Sequence, residues 1–327
     1  MSTPTQTSFP MPHPGQDSGL RTEHTGLIVI AGPTGAGKSD LALRLAQAAG
    51  GEIVNYDSVQ IYRGFDVGSA KPPREVRESL PHHLYDIVDA DQEFNAGDYG
   101  RIAREVCTSV IRRGRAPILV GGTFFYLRAL LSGLPEMPGR DPAVRERLRR
   151  VAASPRGQAR LHRWLSRVDP ESGRRIAPAD RQRVERALEV WITSGKAIST
   201  WRAPAAGEDE IPSLKIALSL RRDKLVEIID ARVETMYRSG LVEETAALLE
   251  RFPRTARPFG TIGYKEAAAM VAGEMTRDAA IAETQRRTRA YAKRQMSWLR
   301  AEPRMHWLDA EDKGAFPAAM RLIEDQR

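Results

Sequence analysis

Gly32, Pro33, Thr34, Gly35, Ala36, Gly37, Lys38 and Ser39 form an unbroken phosphate-binding loop. The residue types set its chemistry. Glycines let the backbone curl so that amide hydrogens converge, and the helix that follows adds partial positive charge. Lys38 reaches outer phosphates and the Ser39 hydroxyl is placed to ligate Mg²⁺, so the ligand is a di- or triphosphate. Asp57, at the end of the next apolar run, is the second reactive group. In open parallel sheets ligands lie at the carboxyl ends of strands, which turns Asp57 toward whatever the loop holds. There it serves as general base, as a water-mediated metal ligand, or simply as a turn cap. Thr123 follows Gly121-Gly122 at another strand end. It either presents its hydroxyl to the crevice or caps the helix starting at Phe124.

The elements that must carry these groups are short apolar runs and helical spacings. Residues 27–31, 52–56, 117–120 and 214–220 read as buried strands, and 40–49 and 101–112 as helices on the sheet. The breaker-rich stretch 134–142 opens an insertion of three short helices, 143–153, 157–167 and 181–193, and helical spacing prevails over 222–251 and 265–300. The fold class is therefore α/β: a P-loop NTPase-like parallel sheet flanked by helices, with a small all-helical insertion domain. Residues 1–25 read as a disordered tail, 26–138 and 212–327 as a discontinuous core, and 139–211 as the insertion.

The charge of the 327-residue chain is +8. Between Arg140 and Arg186 stand fourteen arginines against six carboxylates, so this one stretch holds the whole excess. Such localised basicity suits a module that grips a nucleic-acid backbone; a solvated, salt-bridged helical face is the other reading. The lone Cys107 rules out an internal disulfide and reads as a core thiol. No apolar run reaches the length of a membrane span, and the expectation is a cytoplasmic protein.

The loop followed by Asp57-Ser-Val-Gln-Ile-Tyr-Arg-Gly resembles the tRNA dimethylallyltransferase family, as do the blocks at 81–89, 96–99, 119–126, 180–190, 262–266 and 291–298. The resemblance spans about residues 27 to 300. It implies transfer of a dimethylallyl group from dimethylallyl diphosphate to the exocyclic amine of adenosine 37 of tRNA, with Mg²⁺, by a monomer. Asp57 is then the base, and Lys38, Thr123 and Arg222, which follows the last strand, assist at the diphosphate and the reacting base. For tRNA binding it implies Asp57, Ser58, Val59 and Gln60; Thr123 and Arg145; and Gln182, Arg183, Val184, Glu185 and Arg186. It further implies Gly260, Thr261, Ile262, Gly263, Tyr264 and Lys265, and the helix segment Lys293, Arg294, Gln295, Met296, Ser297, Trp298, Leu299 and Arg300. The tyrosines Tyr62 and Tyr126 would offer faces or hydroxyls to the flipped base, and Trp298 would either stack on RNA or pack in the core.

Two other functions use the same loop. A small-molecule kinase or an adenylate isopentenyltransferase would act without tRNA and leave the basic insertion without a task. A nucleotide-switched RNA-binding protein would hydrolyse nucleotide and leave Asp57 and Gln60 without a joint role.

Overall fold

The computed structural model describes residues 26–201 and 211–325. The expected tail over 1–25, and most of a loop expected at 201–211, lie outside the described residues.

The chain begins as strand, loop and helix. β1 (Leu27–Ala31) runs through the phosphate loop into α1 (Lys38–Ala49), and Gly50, at φ 66°, turns that helix into β2 (Gly51–Asn55). α2 (Arg74–Ser79) and a two-residue β3 (His82–His83) follow, neither of them expected from the sequence. α3 (Ala96–Arg112) is started by a capping box: the Asn95 side chain accepts from Gly97 N and Asp98 N, and Asp98 accepts from Asn95 N. β4 (Ala116–Val120) and α4 (Phe124–Leu131) complete this half. The insertion holds α5 (Pro142–Ala153), α6 (Gly157–Val168), α7 (Pro170–Arg175) and α8 (Arg181–Ser194). The core resumes with β5 (Ser213–Ser219), α9 (Arg222–Arg238), α10 (Leu241–Arg251), α11 (Tyr264–Val271) and α12 (Arg277–Ala301), then β6 (Met305–Asp309) and α13 (Ala315–Glu324).

All described strands are parallel, in the order β3-β2-β4-β1-β5-β6. Side chains alternate between faces. Ile28, Ile30 and Ile118 pack with Leu41 and Leu45 of α1 and Ile323 of α13, while Val29, Val54 and Leu119 join the cluster built with α3, α4 and the C-terminal helices. Helices on both faces explain why β1 and β4 are apolar along their whole length. The chain leaving β1 travels to β2 on one side, and the chain leaving β4 returns to β5 on the other. A crevice opens where these paths diverge, at the carboxyl ends of the two strands. Cys107 is buried, and burial pushes its thiol up to about 12, in keeping with a core residue.

The insertion has a core of its own, made of Leu148, Leu161, Leu165, Val184, Ala187 and Leu188. Glu189 is fully buried at its edge. Arg145 donates to both its carboxylate oxygens at 2.7 and 2.9 Å, Arg186 donates at 2.7 Å, and Asp141 N at 2.8 Å. Burial works against the ionised carboxylate, but the two guanidiniums outweigh it and hold Glu189 down at about 2. The clamp ties α5 to α8.

Candidate active site

The phosphate loop needs its glycines. Gly35 and Gly37 have φ of 88° and 78°, in the left-handed region, and a Cβ on Gly32 would stand 3.0 Å from the Leu218 carbonyl oxygen. The amides of Gly35, Gly37, Lys38 and Ser39 have no partner among the described residues and remain available to an anion. Two other amides of the loop are engaged within the protein. Thr34 N donates to Gln295 Oε1 at 2.8 Å, and Ala36 N to the Pro33 carbonyl at 3.2 Å.

Lys38 Nζ donates to the same Pro33 carbonyl at 2.9 Å. Burial first, then the Arg232 guanidinium, lower its pKa from the usual 10.5 to about 7, with Asp57 pulling the other way. Above pH 7 the empty site therefore holds mostly neutral lysine, and a bound anion favours the ammonium. Diphosphate binding at about pH 8 is expected to take up a proton. Titration calorimetry in two buffers of different ionisation enthalpy reads that uptake, and Lys38→Met should abolish it.

Asp57 divides two tasks between its oxygens. Oδ1 accepts from Val59 N at 2.8 Å and Gln60 N at 3.4 Å, which is the turn-capping role. Oδ2 has no hydrogen-bond partner among the described residues and faces Gly122, where an added Cβ would lie 3.4 Å from it. That Cβ would also stand 3.5 Å from Tyr291 Oη and 2.7 Å from Gln295 Nε2, so only glycine leaves this corner open. Tyr291 Oη and Gln295 Nε2 both donate to the Gly122 carbonyl, at 2.7 and 3.0 Å. Gln295 thus fastens α12 to both the phosphate loop and the β4 loop. Thr123 does not cap α4; its hydroxyl accepts from Ser58 N at 3.0 Å and donates to Ser58 Oγ at 3.1 Å.

A cavity of about 290 Å³ joins these groups, with Thr34, Asp57, Thr123, Arg232 and Tyr291 in its wall. Arg222, expected at the crevice, is exposed in the first turn of α9 and does not line the cavity. Arg232, about three turns further along the helix, does. Its guanidinium has no ion pair or hydrogen bond among the described residues; burial lowers its pKa and Asp57 opposes that shift. Sequence reasoning missed it, although a signal was present. Arg232 lies three residues after Ile229 and four before Met236, on the apolar stripe of α9.

The expected tRNA contacts fall into two groups. Gly260, Thr261, Ile262 and Gly263 line the cavity, and Ser58 and Val59 join them. Lys265, Gln182, Arg183, Lys293, Arg294, Ser297 and Arg300 are exposed. Others are turned to internal work. Tyr264 is buried and donates to Glu244 at 2.5 Å while accepting from Gly68 N; Val184 and Leu299 are core; Arg145 and Arg186 hold Glu189. Glu185 pairs with Arg181. Gln60 Nε2 donates to the carbonyls of Ser69 and Ala70 at 3.0 and 3.2 Å, leaving its Oε1 as the free polar atom. Met296 packs against the core, and Trp298 stacks flat on Phe124, centroids 4.2 Å apart and planes 1° apart, so one indole face is already covered. Tyr62 and Tyr126 are core residues rather than cavity walls: Tyr62 packs edge-on with Phe65 and Tyr126 stacks on Tyr99.

The IPP transferase family model matches residues 60–302. The chain is 45% identical to the tRNA dimethylallyltransferase of Geobacter sulfurreducens, over 90% of this chain and 94% of that protein. It is also 45% identical to the Myxococcus xanthus tRNA dimethylallyltransferase, over 89% and 94% of the two. Among solved structures, the tRNA isopentenylpyrophosphate transferase of Bacillus halodurans superposes with a TM-score of 0.67 at 33% identity, covering 92% of this chain and 97% of that one. A eukaryotic dimethylallyltransferase acting on tRNA superposes at 0.71 and 28% identity, covering 91% and 78%.

Proposed function

The chain belongs to the IPP transferase family, and from that premise we propose that it moves a dimethylallyl group from dimethylallyl diphosphate to the N6 amine of adenosine 37 in tRNA. The products are N6-isopentenyladenosine and diphosphate. The observation that carries this reading is a single cavity walled by Thr34 of the phosphate loop, by a desolvated arginine and by Asp57, which has one unpartnered carboxylate oxygen.

Each group answers a need of the reaction. Diphosphate leaves as an anion, so the free amides of Gly35, Gly37, Lys38 and Ser39, with the Lys38 and Arg232 side chains, stabilise charge as the carbon–oxygen bond breaks. The exocyclic amine of adenine is a weak nucleophile. Asp57 Oδ2 accepts its proton as nitrogen bonds to the allylic carbon, and the turn held through Oδ1 keeps that oxygen in place. Ser39 is exposed at the start of α1 with its hydroxyl unpartnered among the described residues, and no cluster of carboxylates or histidines stands there. One hydroxyl plus diphosphate oxygens and water is a donor set that suits Mg²⁺, which keeps several waters; bound there it would supply further charge to the leaving group. Adenosine must leave its stack to enter. Ser58 and the 260–263 turn are polar groups in the cavity wall at hand for its edge. No helix of the described residues is long and apolar enough to cross a membrane. The reading places a monomer in the cytoplasm, where tRNA is found.

Incubation with Mg²⁺, dimethylallyl diphosphate and unmodified tRNA, followed by digestion and mass analysis of the nucleosides, tests the proposal. An isopentenyladenosine mass that requires tRNA is expected. Product formed equally well on free adenine nucleotide, or no product with ATP consumed instead, would overturn it.

A further inference from the structure

Of the fourteen arginines between Arg140 and Arg186, five are engaged within the insertion and nine have no ion pair among the described residues. Arg145, Arg175, Arg181, Arg183 and Arg186 each pair with a carboxylate of the same insertion. Three of the nine, Arg160, Arg163 and Arg167, stand exposed together on α6, their side chains without an ion pair or hydrogen bond among the described residues. They are not scattered. Spaced three and four apart, they fall within about 60° of arc on one side of the helix and extend along about 10 Å of it. The opposite side, through Leu161 and Leu165, is buried in the insertion core. α6 contains no aspartate or glutamate, whereas an ordinary solvated face interleaves acids at these spacings, as Arg181 and Glu185 do on α8. Like charges three and four apart oppose the helix, and of the three only Arg167, in the last turn, is favoured by the helix dipole.

We propose that Arg160, Arg163 and Arg167 form a track for the phosphate backbone of a double-stranded stem of the bound tRNA, apart from the site that takes the reacting base. The proposal rests on tRNA being the substrate. A row of cations about one helical turn apart suits a polyanion with charges at short intervals; a single free phosphate would need them converging on one point. None of the three lines the reaction cavity. The face also carries no exposed aromatic side chain, since Trp164 packs on the insertion core. Unpaired loop bases are held mainly by stacking, and a face of arginines alone fits a backbone whose bases are already paired.

The test is a triple substitution, R160Q/R163Q/R167Q, in the full chain. Because these side chains make no hydrogen bond or ion pair among the described residues, a thermal melt like the wild type's is expected. Equilibrium binding of full-length tRNA is followed across a KCl series, beside binding of a loop-only oligonucleotide that has no stem. The slope of log affinity against log salt should become shallower by about 2 to 3 for tRNA, with tRNA KM raised about tenfold, and the oligonucleotide should bind both proteins alike. An unchanged slope on tRNA overturns the track. Equal loss on the oligonucleotide also overturns it, because the arginines then hold the loop. If the wild type makes no isopentenyladenosine yet the slope difference appears, the proposed activity falls and the track stands as an RNA surface.

Discussion

Asp57→Asn is expected to slow prenyl transfer by about 10²- to 10⁴-fold at saturating substrates, the range that loss of a positioned general base produces. Asparagine retains an oxygen for Val59 N and Gln60 N, so the turn after β2 should survive. What disappears is the basicity of the oxygen that faces Gly122. Alanine would remove both and confuse a collapsed turn with lost chemistry. The charge at Asp57 also supports the protonated form of Lys38. The comparison therefore belongs at about pH 6, below the pKa of about 7 that burial and Arg232 give that lysine, where donor binding is least affected by its titration. Single-turnover quench of preassembled complexes reads the chemical step. A decrease below tenfold would mean that Asp57 does no more than shape the turn.

Much of this site was legible because it is local. Strand, glycine loop and helix are contiguous from Leu27 to Ala49, and Asp57 follows the next strand by two residues. Three of the insertion's four described helices were legible for the same reason, separated by proline signals and falling within a residue of their expected ends, whereas the six-residue α7 was not expected. Long-range pairings were not. β6 reads Met-His-Trp-Leu-Asp, with no β-branched residue and mostly exposed positions, and is a strand because β5 offers it an open edge. The blocked amide of Thr34 depends on Gln295, far along the chain on α12. Composition could mark the Lys293 to Arg300 segment as a cationic face with an indole, but it could not divide the segment's inward and outward sides. The helix turns Gln295 and Leu299 inward, lays Trp298 on Phe124, and leaves Lys293, Arg294 and Arg300 outside.

The choice between two arginines on α9 has the sharpest expected outcome. Arg232→Met should lower kcat/KM for dimethylallyl diphosphate about 10²-fold or more, in line with truncating one member of a desolvated charge pair. Arg222→Met, at an exposed first turn, should change it little. The free proteins should differ in the opposite sense. Without its anion Arg232 is a half-buried cation whose described surroundings offer only the field of Asp57, and desolvation already lowers its pKa. Methionine of similar length relieves that desolvation and packs with Ile229, Val233 and Met236, so the variant should melt at or above the wild-type temperature. Diphosphate, which stabilises the wild type by mass action, should then raise the variant's melting temperature much less. A variant that is more stable when empty and less responsive to diphosphate cannot be explained by damaged folding. If Arg222→Met is the one that loses donor binding, the diphosphate lies at the start of α9, and the cavity beside Asp57 holds another part of the substrate.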